Sequence, residues 1–530
     1  MDKELEEKNK GWWQVSVRLE KSIFGVIIIS SFLVIFFGSK SGSLQFLFQG
    51  TDKRIGEKEK LLGGLLSPDF DDRACVARYK SSLYRRPSRF EVSPYLVQRL
   101  REYENYHKKC GPHSEFYKIA IEQLKSGQNV ESTDCKYIVF AQANGLGNRM
   151  VALVSTFLYS LLTNRILLVE MTEDSKNVFC EPFPESSWEL PSDFPIKKLA
   201  WKFHRESPES FVNLLENRSI SLDANVSAES LPPFVFFDAW SNTWHIHSRI
   251  FCEDHQKIVQ KFTWMITKSD CYYAPALFLY PEFENELREL FPAKESMFHH
   301  LGRYLFQPAN PVWKMIERFY QTYLINADEK IGLQIRVIPY EPPPFEKVYG
   351  RIIECSENEK LLPEVGTPNF NVSESNPTKR TSIVVFSLFS EYYEKIKSTY
   401  YENSTVTGEL VAVFQPTHEE SQNSFVQFHN QKALAEMYLL SYCDKIAITA
   451  MSTFGYIAHG LAGLQPWILR TLFWQIPKPG PVCVRSMSVE PCLHSPPFLE
   501  CKPNTTVDPA EVVPYLRSCE DFDTGIKLFD

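Results

Sequence analysis

The sequence predicts an α/β protein in which two Rossmann-like units, each a parallel sheet with flanking helices, face a cleft behind one N-terminal transmembrane helix. Three observations predict it. An uncharged, mostly apolar stretch runs from Ser22 to Ser39 between Lys21 and Lys40. A strand, helix, strand pattern occupies Tyr137 to Glu170, and a longer alternation of the same kind starts at Glu329. Strands alternating with helices build parallel sheets, and open parallel sheets bind ligands beyond their strand C-termini.

The segment 22–39 is at the lower limit for crossing a bilayer as a helix. It begins too far into the chain, and its apolar part is too long, for a signal peptide that is removed. Lys8, Lys10, Arg18 and Lys21 precede it, whereas almost no charge follows before Lys53, which puts the N-terminus in the cytosol and the body in a lumen. Residues 1–21 are then a cytosolic tail, 22–39 the anchor and 40–66 a stem. A short span suits a thin, early secretory membrane.

Sequons at Asn217, Asn225, Asn371, Asn403 and Asn504 agree with a luminal body. All 12 cysteines follow the anchor, an even number compatible with complete pairing in an oxidising compartment. Cys483, Cys492, Cys501 and Cys519 contain no Cys-x-x-Cys pair, so they read as disulfide staples and not zinc ligands, with the connectivity open. A net charge of -8 argues against nucleic acid or another polyanion as partner.

After the stem, Ser93 and Pro94 form a helix start, and Leu96, Leu100, Tyr103 and His107 recur at helical spacing until Cys110-Gly111-Pro112. A strand over Tyr137 to Phe140, a helix over Met150 to Leu162 and a strand over Ile166 to Glu170 make the first unit, within a domain of residues 67–328. In the second domain, 329–475, strands are expected at Ile331 to Ile338, Ser382 to Phe389, Leu410 to Phe414, Lys445 to Ala450 and Trp467 to Leu472. Helices are expected at Glu391 to Tyr400, Asn430 to Cys443 and Thr453 to Leu464, and exposed proline-rich loops at Glu341 to Phe345 and Pro363 to Thr381. A cysteine-rich segment, 476–530, closes the chain.

Three places in this pattern can hold a phosphate. Ala143-Asn144-Gly145-Leu146-Gly147-Asn148-Arg149 joins the first strand to its helix. Gly145 and Gly147 allow a tight turn and close approach of a ligand, the helix N-terminus favours an anion, and Asn148 and Arg149 add donors. It lacks the full dinucleotide or P-loop signature, so a purely structural turn fits it as well. Arg336 shares a strand face with Gln334 and could grip a diphosphate bidentately, although an ion-paired or surface arginine fits the pattern too. Ser452-Thr453-Phe454-Gly455-Tyr456 opens a helix, where Ser452 would serve either as N-cap or as part of an anion seat.

The stretches LLGGLLSPDFDDRACVARYKSSLYRR, SPYLVQRLREYENYHKKCGP, ANGLGNRM, CEPFPESSW, FHHLGRYLFQPANPVW, IGLQIRV, KALAEMYLLS, STFGYIAHGLAGLQPW and CVRSMSVEPC occur in this order along the ectodomain. In them the chain resembles the plant xyloglucan fucosyltransferase family. The resemblance implies a type II Golgi membrane protein with a GT-B-like fold that transfers fucose from GDP-fucose, in α-1,2 linkage, to a galactose of a cell-wall glycan. It implies that Arg336 assists departure of GDP, that Ser452 to Tyr456 contacts the diphosphate, that Gly145 to Arg149 faces donor and acceptor, and that Asp270 reaches the acceptor. Asp270 is then either the base or a sugar ligand. More distant fucosyltransferases carry histidine where this chain has Gln334.

No metal is expected. Asp69-Phe70-Asp71 and Asp521-Phe522-Asp523 imitate a metal-binding Asp-x-Asp but lie away from any strand-to-helix junction, and we read both as coincidental. Xyloglucan is the expected acceptor, with arabinogalactan proteins as the alternative and a non-catalytic glycan-binding protein as a reading from another class. The oligomeric state is open, a homodimer included.

Overall fold

The computed structural model describes residues 61–129, 134–223, 225–240, 248–337, 342–366, 379–470, 480–496 and 513–530. The anchor expected at 22–39 and the sequons at Asn371 and Asn504 lie outside these residues, and no described helix is long and apolar enough to cross a membrane. Leu61–Asp530 is one compact unit.

The first sheet holds β1 (Tyr137–Ala141), β2 (Ile166–Glu170), β3 (Phe234–Ala239) and β4 (Trp264–Ser269) in the order β2-β1-β4-β3, all parallel. Helices cover it, so β1 is buried at every position, and β1 and β2 read as nearly unbroken apolar runs without alternation. The second sheet runs β10-β9-β8-β5-β6-β7, with β5 (Glu329–Gln334), β6 (Arg380–Phe386), β7 (Leu410–Phe414), β8 (Lys445–Thr449) and β9 (Trp467–Leu469) parallel. Only its edge strand β10 (Cys483–Arg485) is antiparallel.

Helices α1 (Pro94–Cys110), α2 (Glu115–Ser126), α3 (Leu146–Thr163), α4 (Pro281–Leu290), α5 (Met297–Leu305) and α6 (Asn310–Phe319) belong to the first half. In the second are α7 (Phe345–Glu359), α8 (Ser390–Glu402), α9 (Gln427–Ser441) and α10 (Thr453–Ala462). The start of α1 follows its sequence signals: Ser93 Oγ accepts from Leu96 N at 3.4 Å, and Leu96, Leu100, Tyr103 and His107 are buried. Along α3, Ser155, Thr156, Ser160 and Thr163 each donate to the carbonyl four residues back, which satisfies their hydroxyls inside an apolar core.

The two sheets are not separate bodies. One buried cluster contains Met150 and Phe157 of α3, Phe298 and Leu301 of α5, Leu434 and Leu440 of α9, and Ile457 of α10. The last segment returns to the first half, where Glu490 accepts from Phe298 N at 2.6 Å and from the Tyr272 hydroxyl, and Asp530 accepts from Lys294 N at 2.7 Å. Its strands β11 (Leu516–Ser518) and β12 (Ile526–Leu528) form a small antiparallel pair.

Several expectations need correction. The helix after the glycine turn starts at Leu146 and not Met150, and β5 ends at Gln334, so Arg336 stands just beyond the strand. α7 begins at Phe345, directly behind the first proline-rich loop, because a proline just before a helix costs no intrahelical bond. Disulfides join Cys75 to Cys180, Cys110 to Cys135, Cys355 to Cys483 and Cys492 to Cys519, and Cys252 is also disulfide-bonded. Pairing is nevertheless incomplete, since Cys271 and Cys443 are free and buried. Burial pushes both thiols well above their usual pKa, so neither is a ready thiolate. Iodoacetamide should leave Cys271 and Cys443 unmodified in the native protein and alkylate both after unreduced unfolding. Peptide mass mapping would read either outcome.

Candidate functional site

The site grows from two strand-to-helix turns that face each other. After β1 the chain passes through Asn144, held at φ +63°, and Gly145 caps α3. The first intrahelical bond runs from Arg149 N to Gly145 O at 3.2 Å, so the amides of Leu146, Gly147 and Asn148 precede the helical ladder. After β8 the chain turns through Met451 at φ +60°, and Tyr456 N donates to Ser452 O at 2.9 Å to open α10. The two N-termini touch. Thr453 Oγ1 donates to Asn148 Oδ1 at 2.8 Å, and a Cβ added to Gly147 would lie 2.7 Å from Thr453 Oγ1. Two positive dipole ends therefore converge, an arrangement suited to an anion with more than one charge.

Arg336 supplies a full charge beside them. Its amide donates to Thr449 Oγ1 at 2.9 Å, while that hydroxyl donates to Gln334 O at 3.1 Å. Thr449 N in turn donates to Gln334 Oε1 at 3.1 Å. These bonds fix the backbone of Arg336 against the end of β8. The guanidinium is exposed, its one side-chain partner being Gln422 Oε1 at 3.5 Å, and among the described residues no carboxylate pairs with it. Surrounding protein lowers its pKa through desolvation, yet an arginine with an exposed tip stays cationic.

Gln422 ties this arginine to the first sheet. Its Nε2 donates to Ser424 Oγ at 2.8 Å, and a Cβ added to Gly145 would stand 2.9 Å from that same Nε2. Asp270 directly follows β4, half-buried, and its Oδ2 accepts from Asn144 Nδ2 at 3.4 Å. Arg336, Gln422, the glycine turn and Asp270 thus form one continuous surface built from both sheets.

Other expected ligands serve the scaffold. Arg149 is buried, ion-paired with Asp174 at 2.5 Å and bonded to Ser175 Oγ and Asn144 O, so it shapes the turn from behind. Gln334 is buried and occupied by Thr449. Tyr456 is buried with its hydroxyl on Asp521 and His494. Phe454 packs on the core, and Gly455 lets α10 approach β8, since a Cβ there would be 2.8 Å from Ile448 Cβ. Ser452 makes no capping bond; its hydroxyl is fully buried without a hydrogen-bond partner.

Asp521 has a structural task. It accepts from Met451 N at 2.9 Å as well as from Tyr456, and so holds the turn that leads into α10. It also groups with Cys492 and Cys519, but those sulfurs are bonded to each other and offer no metal a thiolate. Asp71 only closes an exposed turn by accepting from Arg73 N. Asn217 and Asn225 are exposed, as glycan acceptors must be, whereas Asn403 Nδ2 donates to Thr399 O at 3.0 Å.

A model of the family "xyloglucan fucosyltransferase" matches residues 47–502. The chain is 45% identical over 479 residues to a galactoside 2-alpha-L-fucosyltransferase of Pisum sativum, covering 89% of this chain and 82% of that protein. It is likewise 45% identical over 475 residues to one of Arabidopsis thaliana, with 89% and 83% covered. The solved structure of an Arabidopsis thaliana FUT1 mutant in complex with GDP is similar at a TM-score of 0.81 and 44% identity, over 88% of this chain and all of that one.

The Thr449 hydroxyl gives the geometry a direct test. Thr449→Val leaves the Arg336 amide without its acceptor and should cost roughly 1 to 3 kcal/mol, read as a fall in kcat for the reaction proposed below. Thr449→Ser keeps the hydroxyl and should restore most of it.

Proposed function

This chain belongs to the xyloglucan fucosyltransferase family, and on that premise we propose that it transfers L-fucose from GDP-fucose to a galactose of a plant cell-wall glycan, in α-1,2 linkage. The observation that carries the reading is the meeting of Arg336 with two helix N-termini, on a surface that also holds Asp270. That combination seats a nucleoside diphosphate next to a carboxylate able to take a proton. Xyloglucan is the acceptor we favour, from the family's own description. The architecture is GT-B-like in our reading, with the two parallel sheets opposed across the site.

The reaction is an inverting displacement. The acceptor oxygen attacks the anomeric carbon of β-linked fucose, the bond to the diphosphate oxygen breaks, and the product is an α-fucoside and GDP. Negative charge grows on the departing diphosphate. Arg336 and the free amides of the two helix starts are already aimed, so they stabilise that charge without reorganising. Asp270 accepts the proton of the acceptor hydroxyl, either directly or through a water. Asn144, bonded to Asp270 Oδ2, orients the carboxylate. Because fixed positive groups meet the diphosphate, no divalent metal has to bridge it.

We further propose that the catalytic body faces the Golgi lumen from a single-pass type II anchor. The first test offers the secreted ectodomain labelled GDP-fucose with xyloglucan and with arabinogalactan, each with and without EDTA. Label should enter xyloglucan at the same rate under chelation. Label entering only arabinogalactan would change the acceptor, and activity restored by manganese would overturn metal independence.

Two substitutions separate the roles. Arg336→Lys keeps the charge but loses the planar fork, and should cost roughly 2 to 4 kcal/mol in kcat/KM. Asp270→Asn should abolish transfer while GDP affinity and slow hydrolysis of GDP-fucose persist. An asparagine variant impaired only in acceptor KM would make Asp270 a sugar ligand and not the base.

A further inference from the structure

A groove with a volume of ≈ 500 Å³ lies between α2 and residues 187–193, with its floor at the opposite end of β4 from Asp270. Its floor is Tyr117, which meets Tyr137 and Trp264 edge to face at 5.8 and 6.0 Å. Those two residues begin β1 and β4, whereas Asp270 follows the end of β4. The far wall is anchored to β2, since Val169 N donates to Trp188 O and Leu190 N donates to Val169 O.

Tyr117 is 3% exposed, yet its hydroxyl has no hydrogen-bond partner. A buried hydroxyl left unmatched is costly, so one that lines an open groove points to a ligand that completes it. Across the groove Asp193 is exposed and has no hydrogen-bond or ion-pair partner among the described residues. Burial, and after it the charge of Asp193, push the Tyr117 phenol up, which keeps it a donor at every relevant pH. The groove thus offers one unmatched donor and one unmatched acceptor. A sugar hydroxyl can accept from the first while a neighbouring hydroxyl donates to the second.

Charge narrows the ligand further. Lys118 and Lys125 are spent on Glu115 and Glu122 at 2.6 and 2.8 Å, while Glu189 and Asp193 remain on the wall, so a polyanion is excluded. Pro112, Leu190 and Pro191 provide apolar faces for the C–H side of a pyranose.

We infer that this groove is a second binding site for a neutral oligosaccharide, which holds a distant stretch of the polymeric acceptor while one of its galactoses occupies the reaction site. The inference rests on the cell-wall-glycan reading above. At about 3.3 Å per residue, the six residues of β4 separate the floor of the groove from Asp270 by on the order of 20 Å. A polysaccharide reaches both places and a disaccharide does not.

The test is electrophoresis of the ectodomain through native gels containing soluble xyloglucan, without donor. The unmodified protein should be retarded, and Tyr117→Phe and Asp193→Asn should each bind the polymer roughly three- to tenfold more weakly. Both variants should keep their kcat/KM for GDP-fucose and a short galactoside. Tyr117→Phe only removes a hydroxyl that bonds to nothing in the protein, and Asp193 is exposed, so folding is not at risk. An unmodified protein that is not retarded, or variants retarded equally, would overturn the inference. Absence of fucose transfer by every form would count against the enzymatic reading alone, because retardation is measured without transfer.

Discussion

The contact between Gly147 and Thr453 is the constraint on which the rest depends. It sets the N-termini of α3 and α10 against each other, and because each helix is bound to its own sheet, it also sets the strand ends of the two sheets. No side chain can be inserted there, as the 2.7 Å clearance at Gly147 shows. The partial positive charges of the helix ends reach only about one turn. A looser contact would leave two separate weak anion seats where the fold builds one strong one.

Around that contact the protein spends its buried polar groups on holding geometry. Arg149 and Asp174 fix the glycine turn from inside, Asp521 and Tyr456 fix the turn before α10, and Thr449 fixes the backbone of Arg336. The groups that face outward are Arg336, Gln422, Asn144 and Asp270. Buried ion pairs add little net stability but lose much when one partner is removed. Their value here lies in keeping an exposed cation and a half-buried carboxylate at a set separation. Catalysis by pre-aimed dipoles requires that rigidity.

Much of this was legible in the residues. The period switches at Tyr137 and again at Glu329 announced two parallel sheets, and Ser93-Pro94 announced α1. β3 and β4 escaped, although the run from Phe234 to Phe237 behind Pro232-Pro233 carried a readable signal of a doubly buried strand. At the site, local pattern singled out Gly147, Arg336 and the start of α10, but it could not show that Arg149 and Tyr456 are buried behind them. Whether Arg149 or Tyr456 points at a ligand depends on Asp174 and Asp521, which are distant in sequence. Ser452 looked like an N-cap by type and position, yet its hydroxyl is buried without a partner. Gln422 gave no signal at all, because it acts only where a loop of the second half crosses the glycine turn of the first. Free Cys271 and Cys443 show that an even count does not establish complete pairing.

The most direct measurement of the central claim is a crystal structure of the ectodomain with GDP. The account predicts the β-phosphate between the starts of α3 and α10, with the Arg336 guanidinium turned from Gln422 onto its oxygens. A diphosphate bound away from both helix N-termini, with Arg336 still against Gln422, would contradict it.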